Sequence, residues 1–254
     1  MIKHLRDFPF LVFVLSLAAL WFSARIGVIL RKRFRPVEEE ERQDLATVEA
    51  ATLTLLGLII AFSFSMAISR YDLRKNYEAE EANAIGTEYL RVGLLPNTDA
   101  DKIRGLLKEY LRERIMFYET RDERELRQID TNTSRIEAEL WSTIRTAARA
   151  EPAPTVALAV WGMNDVLNNR GYTQAAWWNR IPAAAWDLMI SIAILCNLVL
   201  GYGTHRTGHH LFLVLPLALS ISFLLIADVD SPRGGIIRVL PQNLISLSDS
   251  LQAQ

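Results

Sequence analysis

Thr54, Leu58, Ala61, Phe62, Ser65, Ser69, Asp72 and Asn76 fall at steps of three and four, which puts them on one face of a helix. Along that face hydroxyl gives way to a bulky apolar pair, Leu58 and Phe62, then to hydroxyl again and finally to carboxylate. Repeated around a symmetry axis, such a face forms a narrow apolar collar opening into a polar vestibule, a geometry that gates ions by dewetting. The same spacing also serves plain packing, because Ala61, Ser65 and Ser69 are small residues at four-residue steps, the pattern that lets two membrane helices approach closely. The spacing alone leaves both readings open.

A second polar set lies near the end of the chain. Asp228 and Asp230 precede Pro232, Gly234 and Gly235, which reads as a turn with its carboxylates paired to Arg233 or Arg238. His205 and His209 could share a helical face as metal ligands, but His205, His209 and His210 have no acid beside them and read first as a solvated hairpin tip. Asp187 is an acid inside an apolar run, six residues past Ile181, where it can reach the headgroups. Glu38 to Glu41, the pair Glu80 and Glu81, and the mixed run Arg121 to Glu125 read as solvated charge. No glycine-rich phosphate loop, nucleophile elbow or HExxH helix is present, and nothing fixes two carboxylates around a substrate, so no enzyme is expected.

The elements that must position these residues are membrane spans. The chain has 254 residues with 28 Lys/Arg, 29 Asp/Glu and 50% hydrophobic residues. Of those charges, 17 basic and 18 acidic side chains fall in the 111 residues from Arg70 to Arg180, which leaves the remainder strongly apolar. The near-neutral balance argues against nucleic acid as a partner, since counterion release needs clustered basic charge. The single cysteine, Cys196, excludes an intramolecular disulfide. Four stretches reach the length of about 20 apolar residues that crosses a bilayer. They are 8–30, 45–69 (uncharged from Ala50 to Ser69), 181–204 and 211–227, the last short and carrying Pro216. A cleaved signal peptide is the alternative for the first, though its apolar run is long for that role and no A-x-A site follows. Trp177, Trp178, Trp186 and Tyr202 bracket the third span as an aromatic belt would.

No proline interrupts Ala50 to Leu95, so the second span should leave the bilayer as one long helix ending at about 95. Residues 97–180 then read as a helical extramembrane domain. Asn97, Thr98 and Asp99 supply an N-cap after Pro96, and Ile103, Leu107, Tyr110 and Leu111 form an apolar stripe. Ile136, Leu140 and Ile144 form a second stripe, and after Pro152 and Pro154 a third follows at Val156, Val160, Met163 and Leu167. Residues 228–254 remain as a tail. The fold class is all-α: an integral membrane protein with four spans and a helical domain between the second and third.

The stretch LLGLIIAFSFSMAISRYDLRKNYEAEEANAIGTEYLR, the sequence LLIADVDSPRGGIIRV and the two-plus-two layout resemble a widespread bacterial membrane family of unknown function with a bestrophin-like domain. The more distant resemblance is to the bestrophin ion channels, homopentamers whose second membrane helix lines the pore. Their bacterial members close a hydrophobic neck with a phenylalanine followed eight residues on by an arginine and an aromatic, a register that Phe62, Arg70 and Tyr71 match. Earlier neck positions fall on Leu58 and Thr54, the latter departing from the usual aliphatic residue. The resemblance thus implies a pore lined by Thr54, Leu58, Phe62, Ser65, Ser69 and Asp72. It also implies a homo-oligomer, pentameric if the likeness extends to assembly, in the bacterial inner membrane.

Bestrophins carry an acidic cluster of the form E-x-E-D-P-x-G after the fourth span, and Asp228 to Gly234 fit it position by position, with Ser231 in place of an acid. In calcium-activated members that region contributes to an ion clasp, which makes calcium the one ion to test here; no other cofactor is implied. The alternative function is a non-conducting membrane scaffold or sensor whose helical domain binds a partner. Orientation is divided: Arg31, Lys32, Arg33, Arg35, Arg42 and Arg206 flank one side, whereas Lys3, Arg6, Arg70, Arg74, Lys75, Arg180, Arg233 and Arg238 flank the other. The larger count, and the resemblance, favour cytoplasmic termini and a cytoplasmic domain 70–180.

Overall fold

The computed structural model describes residues 7–33, 39–203 and 211–253, and their regular structure is entirely helical. In chain order the helices are α1 (Pro9–Arg33), α2 (Glu39–Arg91), a 3-10 turn (Val92–Leu94), α3 (Asn97–Glu119), α4 (Glu123–Ala150), α5 (Pro154–Trp178), α6 (Ala183–Gly203), α7 (Leu211–Asp230) and α8 (Gln242–Gln252). Two compact units result, one of Met1–Tyr71 with Arg180–Arg238 and one of Asp72–Asn179 with Val239–Gln254. The loop histidines His205, His209 and His210 lie outside the described residues.

Helix α2 runs 53 residues because nothing in its sequence stops it. It ends at Arg91, a turn before the expected 95, where a 3-10 turn leads to Leu95 in an extended conformation. Pro96 is the reason, since its ring drives the preceding residue out of the helical region. Pro96 itself occupies the N-cap of α3, so the expected cap at Asn97 to Asp99 falls inside the helix, with Asp99 in the first turn where the dipole favours an acid. Four helical stretches, Pro9–Arg33, Gln43–Leu94, Pro154–Gly203 and Leu213–Asp230, are long and apolar enough to cross a membrane.

In the first unit α1 packs against α6 and α7. The contact with α6 is backbone to backbone: a Cβ on Gly27 would collide with the Leu198 carbonyl, and one on Gly201 with the Ala24 carbonyl. Ser23 Oγ donates to the Ile194 carbonyl at 2.7 Å across the same seam. Leu20, Leu56, Ala67, Trp186, Met189, Cys196 and Phe223 form the core. Trp186 meets Phe223 edge-on at 6.3 Å, so it belongs to the core and not to an aromatic belt. Outward, Phe10, Val14, Phe22, Ile29, Leu195 and Val214 stay uncovered. Such an apolar exterior matches hydrocarbon as its solvent.

In the second unit α4 packs between α3 and α5, and α8 packs on α3. The three stripes read from the sequence do become core: Ile103, Leu107, Tyr110, Ile136, Leu140, Ile144 and Met163 are all buried. On α5 the stripe is rotated, with Ala159, Gly162 and Val166 buried in place of Val160 and Leu167. Trp177 also joins this core, 4.9 Å from Phe117 and 5.5 Å from Tyr118. Trp178 is the exposed member of the pair. Helix α8 lies in what the sequence suggests is a tail; Leu244, Leu247 and Leu251 supply a short helical spacing that could have revealed it.

Candidate functional site

Helix α2 has two faces of opposite character. Leu56, Ser63 and Ala67 are buried in the first unit, while Thr54, Leu58, Ala61, Phe62, Ser65 and Ser69 are exposed, as are Asp72 and Asn76 farther along. Leu58 is 52% and Phe62 62% exposed, so among the described residues no other span covers the bulky pair. Small-residue packing within one chain is thereby excluded for Ala61, Ser65 and Ser69. What remains for this face is lipid, another subunit or a pore. Thr54 Oγ1 donates to its own helix, to the Ala50 carbonyl at 2.8 Å.

The second candidate set folds into a hairpin at the end of α7, which continues to Asp230, three residues beyond the expected span. Carboxylates at a helix C-terminus oppose the dipole and need donors. Asp228 finds them in the returning chain: Oδ1 accepts the Ile236 N–H at 2.7 Å and Oδ2 the Ile237 N–H at 2.9 Å. The glycines make the return close enough, since a Cβ on Gly235 would lie 2.5 Å from the Asp228 carbonyl, and one on Gly234 would collide with the Asp7 carbonyl. Asp230 Oδ1 accepts the Ile181 N–H at 3.0 Å and lies 3.9 Å from Arg70 Nη1. Backbone amides thus hold Asp228, and the Ile181 amide and Arg70 meet Asp230.

This arrangement does not fit calcium. A calcium ion needs six to eight oxygen ligands. Here both Asp228 oxygens already accept N–H groups and Asp230 is paired to a cation, and among the described residues no three His, Cys, Asp or Glu side chains come together to hold a metal. Asp187 is exposed near the start of α6.

Beyond Ser69 the buried face of α2 carries charge that the sequence reading missed. Ala67, Arg74, Glu81 and Glu88 recur every seven residues, as do Glu78, Ile85 and Val92, and all seven are buried. Glu81, expected as solvated charge, is fully buried. It accepts Arg114 Nε at 2.5 Å, the Tyr118 hydroxyl at 3.2 Å and the Thr173 hydroxyl at 3.4 Å. Burial and the Glu81 carboxylate together push the Tyr118 hydroxyl well above the usual phenol range. Glu78 accepts the Asn243 and Leu244 N–H groups at 2.9 and 3.0 Å, capping α8. The seven-residue spacing, in phase with the buried Leu56, Ser63 and Ala67, was the available signal.

The bestrophin-like domain, as a family, matches residues 17–244. No curated protein matches the chain. Among solved structures, a mutant form of a bacterial bestrophin homologue from Klebsiella pneumoniae is 15% identical, with a TM-score of 0.65 over 93% of this chain and 97% of that one. A second mutant form of the same homologue gives 14% and 0.64 over 95% and 98%. The homologue's structure from zinc phasing gives 15% and 0.63 over 93% and 98%. At such identities the likeness is one of fold. With the family match spanning nearly the whole chain, this multi-pass membrane protein belongs to the bestrophin-like family.

Proposed function

We propose that the chain is one subunit of a homo-oligomeric ion channel, with the exposed face of α2 as the lining of its conduction path. The observation that carries this reading is the exposure of Leu58 and Phe62 on a helix whose opposite side, at Leu56, Ser63 and Ala67, is buried in the first unit. Bulky apolar rings brought together around an axis make a constriction that dewets, and the flanking Ser65, Ser69 and Asp72 rehydrate an ion beyond it. Thr54 sets a shorter apolar collar than an aliphatic residue would. The bestrophin-like family and the fold shared with a bacterial bestrophin homologue support the same reading.

In this reading the spans 8–30, 45–69, 181–204 and 211–227 cross the bacterial inner membrane, residues 97–180 are extramembrane, and the termini and the domain are cytoplasmic. The subunits number five if assembly follows the bestrophin channels.

Ion flux through the purified protein in liposomes tests the proposal, with chloride and sodium gradients applied in turn to wild type and Phe62→Ala. Removing the ring widens the collar, so the expected result is a larger flux or an altered chloride-to-sodium ratio in the variant. No flux from a folded oligomer of either form overturns the channel and leaves a membrane scaffold whose helical domain binds a partner.

A further inference from the structure

Three glutamates line the buried face of α2 in the second unit, and two of them are satisfied. Glu81 has Arg114, Tyr118 and Thr173, and Glu78 has the N-terminus of α8. Glu88 differs: its residue is 0% exposed, and among the described residues neither carboxylate oxygen has a hydrogen-bond partner. The space it occupies exists because α5 presents a glycine there, and a Cβ on Gly162 would collide with Glu88 Oε2. An ionised carboxylate in such a place loses its hydration, and Arg91, whose Nη1 lies against the same Gly162 position, offsets only part of that loss, whereas the neutral acid loses far less.

We propose that Glu88 is a proton-binding site that holds α5 against α2 when protonated and loosens that contact when the proton leaves. The charged groups acting on it are Arg91, one turn later on its own helix, which favours ionisation, and Asp165 on α5, which opposes it. The 3-10 turn that packs on α5 contributes no charge, and α3 reaches this end through Arg104, whose guanidinium lies beside Gly93. Burial outweighs Arg91 and raises the Glu88 carboxyl to about 8. The sign follows from that direction. A group raised in the folded state stabilises it fully below the unfolded value near 4.5, and that contribution fades as pH climbs toward 8. The window includes neutral pH, so proton release from Glu88 falls within the range a cell experiences.

Hydrogen exchange of the full-length protein in detergent micelles, followed by mass spectrometry between pH 5 and pH 9, tests this. After correction for intrinsic exchange, the opening equilibrium of amides 156–167 should rise about tenfold per pH unit up to about pH 8. In Glu88→Gln, which keeps the shape of the neutral acid, the rise should vanish. In Asp165→Asn, where Glu88 stays but loses its repulsive neighbour, the rise should stop at a lower pH. Flat wild-type protection, or an equal rise in Glu88→Gln, overturns the proposal.

Discussion

Arg70 Nη1 on α2 lies 3.9 Å from Asp230 Oδ1 on the last turn of α7, and the same oxygen accepts the Ile181 N–H ahead of α6. One carboxylate thus ties three segments of the first unit. Both residues also lie in the two stretches that carry the family resemblance, which gives that resemblance a physical basis: the arginine after the candidate neck and the acidic turn meet in space. Removing Asp230 leaves a cation and an amide without their acceptor, at a cost of about 2–4 kcal/mol. Asp230→Ala should therefore melt well below wild type in detergent, and Asp230→Asn, which keeps an acceptor for Ile181, should fall between them. An unchanged melting temperature in Asp230→Ala would reduce the contact to a passive neighbour.

The Glu81 and Arg114 pair makes a sharper case, because both are almost fully buried. Arg114→Met strands a carboxylate in the core and should destabilise the protein by about 3–5 kcal/mol. Glu81→Gln combined with Arg114→Met removes both charges and should recover much of that loss. Denaturant midpoints of the two variants decide the matter: if the double variant is no better than the single one, the pair matters for its shape and not its charge.

Apolar length and helical spacing were enough to read the four long helices and the continuous α2. The exposed face from Thr54 to Asp72 was legible as well, since a step of three and four needs no tertiary information. Its opposite face was not, because Arg74, Glu78, Glu81 and Glu88 are residue types that normally seek water, and the partners that accept Glu78 and Glu81 into the core, Arg114, Thr173 and Asn243, lie far along the chain. For the same reason Trp177 and Trp186 looked like membrane anchors. A tryptophan near a span end satisfies the belt pattern whether it faces lipid or Phe117 and Phe223, and only packing distinguishes the two. The partners of Asp228 were hidden because they are backbone amides, to which sequence is blind.

Close approach of α1 and α6 rests on two glycines. Any side chain at Gly27 or Gly201 meets a backbone carbonyl that cannot turn aside. Gly201→Val should cost about 3 kcal/mol or more through overpacking. By contrast Gly105 on α3 has nothing within 4 Å of where a Cβ would sit, and Gly105→Ala should gain about 0.8–1 kcal/mol from helix propensity. Opposite shifts in the thermal midpoint are expected from the two substitutions. A Gly201→Val protein as stable as wild type would mean that the helices can separate without penalty.

Helix α8 is held at both ends by side chains from elsewhere in its unit. Glu78 accepts two N–H groups at its start, and Lys108 Nζ donates to the Leu251 carbonyl at its end at 2.8 Å. Both contacts also complement the helix dipole, with an acid at its positive N-terminus and a cation at its negative C-terminus. A helix of 11 residues is too short to persist alone in water, so its order depends on this docking and on buried Leu244 and Leu251. Glu78→Ala should remove about 1–2 kcal/mol of capping and leave a space beneath Asn243. Limited proteolysis should then cut within 242–252 in the variant while sparing wild type, and Lys108→Met should do the same to a smaller degree. Equal protease resistance in all three proteins would assign the docking of α8 to its leucines alone.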